Sequence, residues 1–293
     1  MKVEILLVTY RKDLEFTSYA LRSIAKFGSG FSGITLVVPH QDKEAFKPLA
    51  DIYGCSLRNC IEVPNKGFLG HMASKCEADL WCPKGTDIVC HIDSDCIFGE
   101  PFTPATFMDG EKPLLVREHY DDFIQYPSRY GWRKNSMHAL GYDCEWETMV
   151  RHPSLFHVDM YRRLRNRIED IHGYPFDQYV LLQRNEFPQT FSEFPTIGAF
   201  ILQNDSDRYR IVTCVHTPGE YWRDSKWLQF GIEPVLRDSR TGSPAIKDLP
   251  MKFLWHMDDG SMEWRPLINP VRYFWSKKGV TAEYRKAIEA MLA

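Results

Sequence analysis

Short apolar runs alternate with stretches of helical spacing through the first hundred residues, and this alternation narrows the fold more than any other feature of the chain. Val3-Glu4-Ile5-Leu6-Leu7-Val8-Thr9 is a run of buried-strand type. Over 15–27, apolar residues recur at Phe16, Tyr19, Ala20, Ile24 and Phe27, one face of a helix, and Gly28 and Gly30 stop it. A second strand is expected at Ile34-Thr35-Leu36-Val37-Val38, ended by Pro39, then a helix over 43–52 and a weaker strand over 58–63. A helix over 70–80 leads to a fourth strand, Asp87-Ile88-Val89-Cys90-His91-Ile92, which runs into Asp93. Strand and helix in alternation imply α/β architecture, with a mostly parallel sheet covered by helices on both faces. Right-handed crossovers make it doubly wound, and such sheets bind ligands beyond the carboxyl ends of their strands. Thr9-Tyr10 and Asp93-Ser94-Asp95 both fall at such ends.

The rest is less regular. Leu114-Leu115-Val116 reads as a strand, 120–146 as long loops over a site, and 157–171 as a basic helix carrying Arg162, Arg163, Arg165 and Arg167. A short helix is expected over 176–182, strands over 210–216 and 252–256, and an amphipathic helix over 281–292. No repeat or long linker divides the chain, so 1–293 reads as one domain. With 36 Lys plus Arg against 39 Asp plus Glu, the net charge is −3, which argues against holding polyanions by bulk electrostatics. Aromatic residues make up 14%, which suits either an aromatic-rich core or stacking on a sugar or a base. The 8 cysteines form no C-x-x-C pair and several lie in apolar runs, so they read as buried thiols in a reducing compartment. With no signal-peptide pattern and no apolar window near 18 residues, a cytoplasmic protein without a transmembrane segment is expected.

The strongest chemical signal is His91-Ile92-Asp93-Ser94-Asp95-Cys96-Ile97-Phe98. Two carboxylates two residues apart, just past a buried strand, converge when the strand opens into a turn. Such hard oxygens suit Mg²⁺ or Mn²⁺, which neutralise charge building on a leaving diphosphate. In the phosphatase class that uses the first Asp of a D-x-D as nucleophile, the motif lies on the first strand, followed by Gly and Thr. Here it follows the fourth strand and precedes Cys96. No Gly-rich loop leads from a strand into a helix, as a phosphate loop does, and no Gly-x-Ser-x-Gly elbow occurs.

Asp93-Ser94-Asp95 after a strand, with Val8-Thr9-Tyr10 closing the first strand, resembles the GT-A glycosyltransferases. The stretch Gly67-Phe68-Leu69-Gly70-His71-Met72-Ala73-Ser74-Lys75, the segment Phe191-Ser192-Glu193-Phe194 and the pattern Val271-Arg272-Tyr273-Phe274-Trp275-Ser276 are similar to a bacterial and phage branch of that fold. The resemblance implies a metal-dependent enzyme moving a hexosyl or pentosyl group from a nucleotide sugar to a glycan or other hydroxyl acceptor. It implies a nucleotide-sugar-binding half over 1–100 and an acceptor-binding half with the C-terminal helix over 101–293. Thr9 and Tyr10 would line the base pocket, Asp93 would face ribose and metal, Ser94 lies between, and Asp95 would bind the metal. Lys75 would reach a donor phosphate or sugar hydroxyl, unless it is a solvated helix lysine.

Glu193 is the expected general base of an inverting transferase, taking the acceptor proton, with burial between Phe191 and Phe194 raising its pKa. The alternative is a helix N-terminus capped by Ser192 with Glu193 in its first turn. Asp177, in Phe176-Asp177-Gln178, is the second candidate, and a retaining enzyme needs neither. His256 is the first choice for a late metal ligand and His216 the alternative; Arg151 and His152 would lie near the acceptor or the departing phosphate. Three other functions share features of this pattern: a nucleotidyltransferase, a non-catalytic carbohydrate-binding protein, and a phage enzyme glycosylating DNA bases. The last needs a focused basic groove that the net charge does not support.

Overall fold

The computed structural model describes residues 1–60, 67–123, 127–149, 153–184, 191–214, 252–256, 262–266, 271–273 and 282–293. It is a mixed α/β structure whose central sheet is mostly parallel. Strands β1 (Val3–Val8), β2 (Gly33–Pro39), β3 (Ser56–Cys60), β4 (Ile88–His91) and β9 (Ser154–His157) lie in the order β3-β2-β1-β4-β9. The first four run parallel, and β9 is antiparallel to β4. Every residue of β1 is buried, because helices cover both faces. Val3, Ile5 and Leu7 pack with residues of α1 (Leu14–Phe27) and α2 (Lys43–Tyr53). Leu6 and Val8 face the other layer, built by α3 (Gly67–Cys76), α6 (Val158–His172), α7 (Phe176–Leu182) and α8 (Glu193–Asn204). Alternate residues of one strand thus serve two cores, which is why these strands read as continuous apolar runs.

Several expectations shift. The helix expected over 70–80 is two pieces, α3 and α4 (Ala78–Trp81), separated at Glu77. The region expected to be loops, 120–146, holds the fourteen-residue α5 (Pro127–Leu140). Pro at its first position is favourable there, but Gly131 and a polar run leave no apolar stripe to read. Tertiary contact supports it instead: Ser136 Oγ lies 3.2 Å from Thr196 Oγ1 of α8.

A second sheet has the order β12-β11-β10-β7-β6, formed by β6 (Met108–Asp109), β7 (Lys112–His119), β10 (Arg210–Cys214), β11 (Lys252–His256) and β12 (Met262–Pro266); β8 (Trp146–Glu147) also pairs with β7. β10 is parallel to β7 and the other pairings are antiparallel. The strand directly after the D-x-D, β5 (Cys96–Phe98), pairs antiparallel with β13 (Val271–Tyr273), placing Tyr273 opposite Cys96. Next to it, α9 (Ala282–Leu292) packs Ile288 and Leu292 against Phe16 of α1 and Ile97 of β5. No described helix is long and apolar enough to cross a membrane.

Candidate active site

The site forms where β1 and β4 end. Their parallel register sets Leu6 opposite His91, so two residues further on Val8 is level with Asp93. Past β1, Thr9 is buried: its N–H donates to Val37 O at 2.9 Å and its hydroxyl lies 3.0 Å from Thr17 Oγ1. Tyr10 is extended and 40% exposed, so its ring stands at the rim. The chain then makes a short 3-10 turn, Arg11–Asp13, anchored where the Arg11 N–H donates to Asp42 Oδ2 at 2.8 Å. Past β4, the Cys96 N–H donates to Asp93 O at 3.0 Å, so the D-x-D is a tight turn opening into β5.

Asp13 is a carboxylate that the sequence did not single out. It is the N-cap of α1 but makes no capping bond; its Oδ2 accepts from Ser94 Oγ at 3.2 Å, tying the turn after β1 to the D-x-D. Burial raises its pKa, the Ser94 hydroxyl opposes that, and the Asp93 charge adds to the rise. The Tyr10 phenol is raised by burial and then by the charges of Asp13 and Asp95. Asp13, Asp93 and Asp95 therefore share one electrostatic neighbourhood with the Tyr10 phenol.

Lys75 links this cluster to a residue 118 positions away. It lies in the last turn of α3, 4% exposed, among Ala73, Ser74 and Cys76, all buried. Its Nζ donates to Asp93 Oδ1 at 2.7 Å and to Glu193 Oε1 at 2.9 Å, and sits 4.7 Å from the centre of the Phe194 ring. Burial disfavours the ammonium, but the charges of Asp93 and Glu193 outweigh it and hold the pKa above the ordinary lysine value. The reading of Lys75 as a solvated helix lysine is therefore wrong. Two histidines flank it. His71 Nε2 bonds Val8 O at 2.7 Å, and burial, then the Lys75 charge, lowers its pKa to about 4. His91 Nε2 shares a 2.6 Å hydrogen bond with the Tyr161 hydroxyl, and the same two causes lower it to about 3. Both are neutral at physiological pH, which leaves Lys75 as the buried cation of this cluster.

Glu193 opens α8 and is 1% exposed. Ser192 is the N-cap, yet its side chain makes no capping bond. The first turn is held from outside: Thr148 Oγ1 donates to Phe194 O at 3.0 Å. That approach requires Gly198, where an added Cβ would fall 1.9 Å from Thr148 Oγ1. Glu193 Oε2 has no hydrogen-bond partner among the described residues. Besides the burial expected beside Phe191 and Phe194, the structure sets the Lys75 ammonium against Glu193.

The structure thus brings together Thr9, Tyr10, Lys75, Asp93, Ser94, Asp95 and Glu193. Asp177 does not join them. It is exposed in the first turn of α7, and its charge helps to raise Glu77 to about 7, after burial and against Arg165. His256 ends β11 opposite Met262, in the second sheet. Arg151, His152 and His216 lie outside the described residues. No group of three His, Cys, Asp or Glu side chains among the described residues is placed to hold a metal ion. Asp93 and Asp95 nonetheless fit Mg²⁺ or Mn²⁺ by donor chemistry: adjacent hard oxygens in a neighbourhood rich in negative charge.

No family model matches the chain, and no curated protein matches it. Solved structures similar to it include mouse xyloside xylosyltransferase 1 in apo form, with 10% identity, covering 76% of this chain and 90% of that one at a TM-score of 0.39. The glycosyltransferase GlyE of Streptococcus pneumoniae TIGR4 shows 11% identity over 100% of this chain and 60% of that one, with a TM-score of 0.46. The galactosyltransferase LgtC, in complex with donor and acceptor sugar analogues, shows 10% identity over 99% and 95%, with a TM-score of 0.47.

Proposed function

We propose that this chain is a glycosyltransferase that moves a sugar from a nucleotide-diphosphate donor to a hydroxyl acceptor with the help of Mg²⁺ or Mn²⁺. One observation carries the reading: the D-x-D turn closes the carboxyl end of a parallel sheet, where the buried Lys75 ammonium joins Asp93 to Glu193 and Ser94 ties Asp13 to the same turn. Crowded carboxylates raise one another's free energy unless a cation joins them. Asp93 and Asp95 would hold the metal, which when bound offsets charge growing on the leaving diphosphate.

The chain's own residues supply the rest. The Tyr10 ring, exposed at the rim, offers a stacking face to the donor base. Thr9, whose hydroxyl is engaged by Thr17, shapes the floor beneath it. Lys75 fixes the Asp93 carboxylate, and the neutral His71 and His91 pack around it without competing for anions. In the transfer, the acceptor oxygen bonds to the anomeric carbon, the bond from that carbon to the diphosphate oxygen breaks, and the acceptor's proton passes to the departing diphosphate or to water. Asp177 stands apart from this site, and Glu193 lies in it with one oxygen already on Lys75.

Nucleotide sugars with different bases, incubated with Mn²⁺, test the reading through donor hydrolysis. Asp95→Ala is expected to lower Mn²⁺-dependent hydrolysis at least about 100-fold, since metal-assisted charge stabilisation contributes several kcal/mol. The melting temperature should move little, because Asp95 is only partly buried. Hydrolysis at the wild-type rate would remove Asp95, and with it the metal-assisted mechanism.

A further inference from the structure

We infer that Glu193 is a positioning residue, the counter-ion of Lys75, whose task is to leave Asp93 with its negative charge for a divalent cation. The inference rests on the metal-assisted reading above and assigns a role within that site.

An ammonium 2.7 Å from a carboxylate competes with any cation for it. Were Asp93 the sole partner of Lys75, the pair would be neutral and a poor metal ligand. Glu193 changes this balance. Its Oε1 stands 2.9 Å from the same Nζ, and its side chain is 2% exposed against 34% for Asp93. Lys75 is thus shared between two carboxylates, and the pair it makes with Glu193 is the one less screened by water. The Phe194 ring, 4.7 Å away on the next residue, adds a second attraction from the same helix turn. One ammonium between two carboxylates leaves the three groups with one net negative charge, and of the two carboxylates Asp93 is the one open to solvent. Glu193 is also poorly placed to meet an acceptor hydroxyl, being walled in by Lys75 and buried beside Phe191 and Ser192.

Mn²⁺ titration of the full-length chain, followed by the electron paramagnetic resonance signal of free Mn²⁺, tests this without any sugar. Asp95→Asn should weaken Mn²⁺ binding at least about tenfold, the scale on which altered ligand shells act. Glu193→Gln should weaken it about tenfold, because Lys75 then spends its whole charge on Asp93. The double variant Lys75→Met/Glu193→Gln removes the competitor together with its counter-ion and should bind within about threefold of wild type, as coupled neighbours are non-additive. Should Glu193→Gln fail to fold, the double variant still decides: folded protein with tenfold weaker Mn²⁺ binding overturns the inference. Mn²⁺ binding that is sensitive to Asp95→Asn but indifferent to Glu193→Gln overturns it too, and returns Glu193 to the role of general base. Wild-type protein that takes up no Mn²⁺, alone or with a nucleoside diphosphate, overturns both this inference and the metal-assisted mechanism.

Discussion

Glu4 and Glu193 are both buried, one at each end of the central sheet, and they are finished differently. Glu4, in β1 at the amino end, is 2% exposed; its Oε1 accepts from Thr35 Oγ1 and its Oε2 from Ser32 Oγ, each at 2.9 Å. Gly33 gives it room, since a Cβ there would fall 3.0 Å from Oε2. Both oxygens are satisfied by the neighbouring strand β2 and the residue just before it. Glu193, at the carboxyl end, has one oxygen on Lys75 and the other without a hydrogen-bond partner among the described residues. The first arrangement is a closed structural joint; the second sets a carboxylate against an ammonium that is itself shared with the D-x-D turn. Burial alone therefore does not mark a functional carboxylate, whereas the partners it is given do.

The comparison breaks most readily at Lys75. Lys75→Met leaves Asp93 and Glu193 facing each other without a cation, and should cost about 3–5 kcal/mol of stability in denaturant titration, as for other buried pairs stripped of one partner. A loss below about 1 kcal/mol would mean that the two carboxylates do not need it. Acid should act at the same end of the sheet. His91 is held neutral with a pKa of about 3, below the ordinary 6.5, so the unfolded chain takes up a proton that the folded chain refuses. Its contribution is full above pH 6.5 and is lost progressively as pH falls towards about 3. His91→Gln should flatten the pH dependence of the unfolding midpoint over that range; an unaltered slope would show that the imidazole protonates in place. At the amino end, Glu4→Gln should cost only about 1 kcal/mol, roughly one exchanged hydrogen bond, and leave Mn²⁺ affinity at the wild-type value. Weakened Mn²⁺ binding in that variant would mean that the two ends of the sheet are coupled. The smallest effect belongs to an exposed carboxylate. Arg285→Ala, which frees Glu15 of its ion pair at 2.6 Å, should leave the unfolding midpoint unmoved in moderate salt.

The parts of this molecule legible in its sequence are those decided locally. Buried parallel strands must be apolar on both faces, so β1, β2 and β4 announce themselves, and the D-x-D is conspicuous because it interrupts such a run. The segment Ser154–His157 gives no such signal: four residues are too few to show a period, and the structure uses them as the antiparallel edge strand β9. α5 was unreadable because its support comes from α8 and not from its own apolar stripe. In the site, Tyr10, Asp93 and Asp95 could be picked out from their place at strand ends. Asp13 could not, since an acidic residue before a helix is ordinarily a cap. Nor could the bond between Lys75 and Glu193, because no local pattern relates residues so far apart, and a helix lysine is by default a surface residue.

The pairing of β13 with β5 carries a consequence for how this chain comes to life. The strand that leaves the D-x-D turn is zipped to residues 271–273 and pinned by α9, through Ile97 against Ile288 and Leu292. Contacts so distant along the chain are late to close, because loop entropy must be overcome before they repay it. A ribosome would release the parallel strands long before the clasp beside Asp95 is in reach, so a nascent chain holds its scaffold while its chemistry is still unassembled.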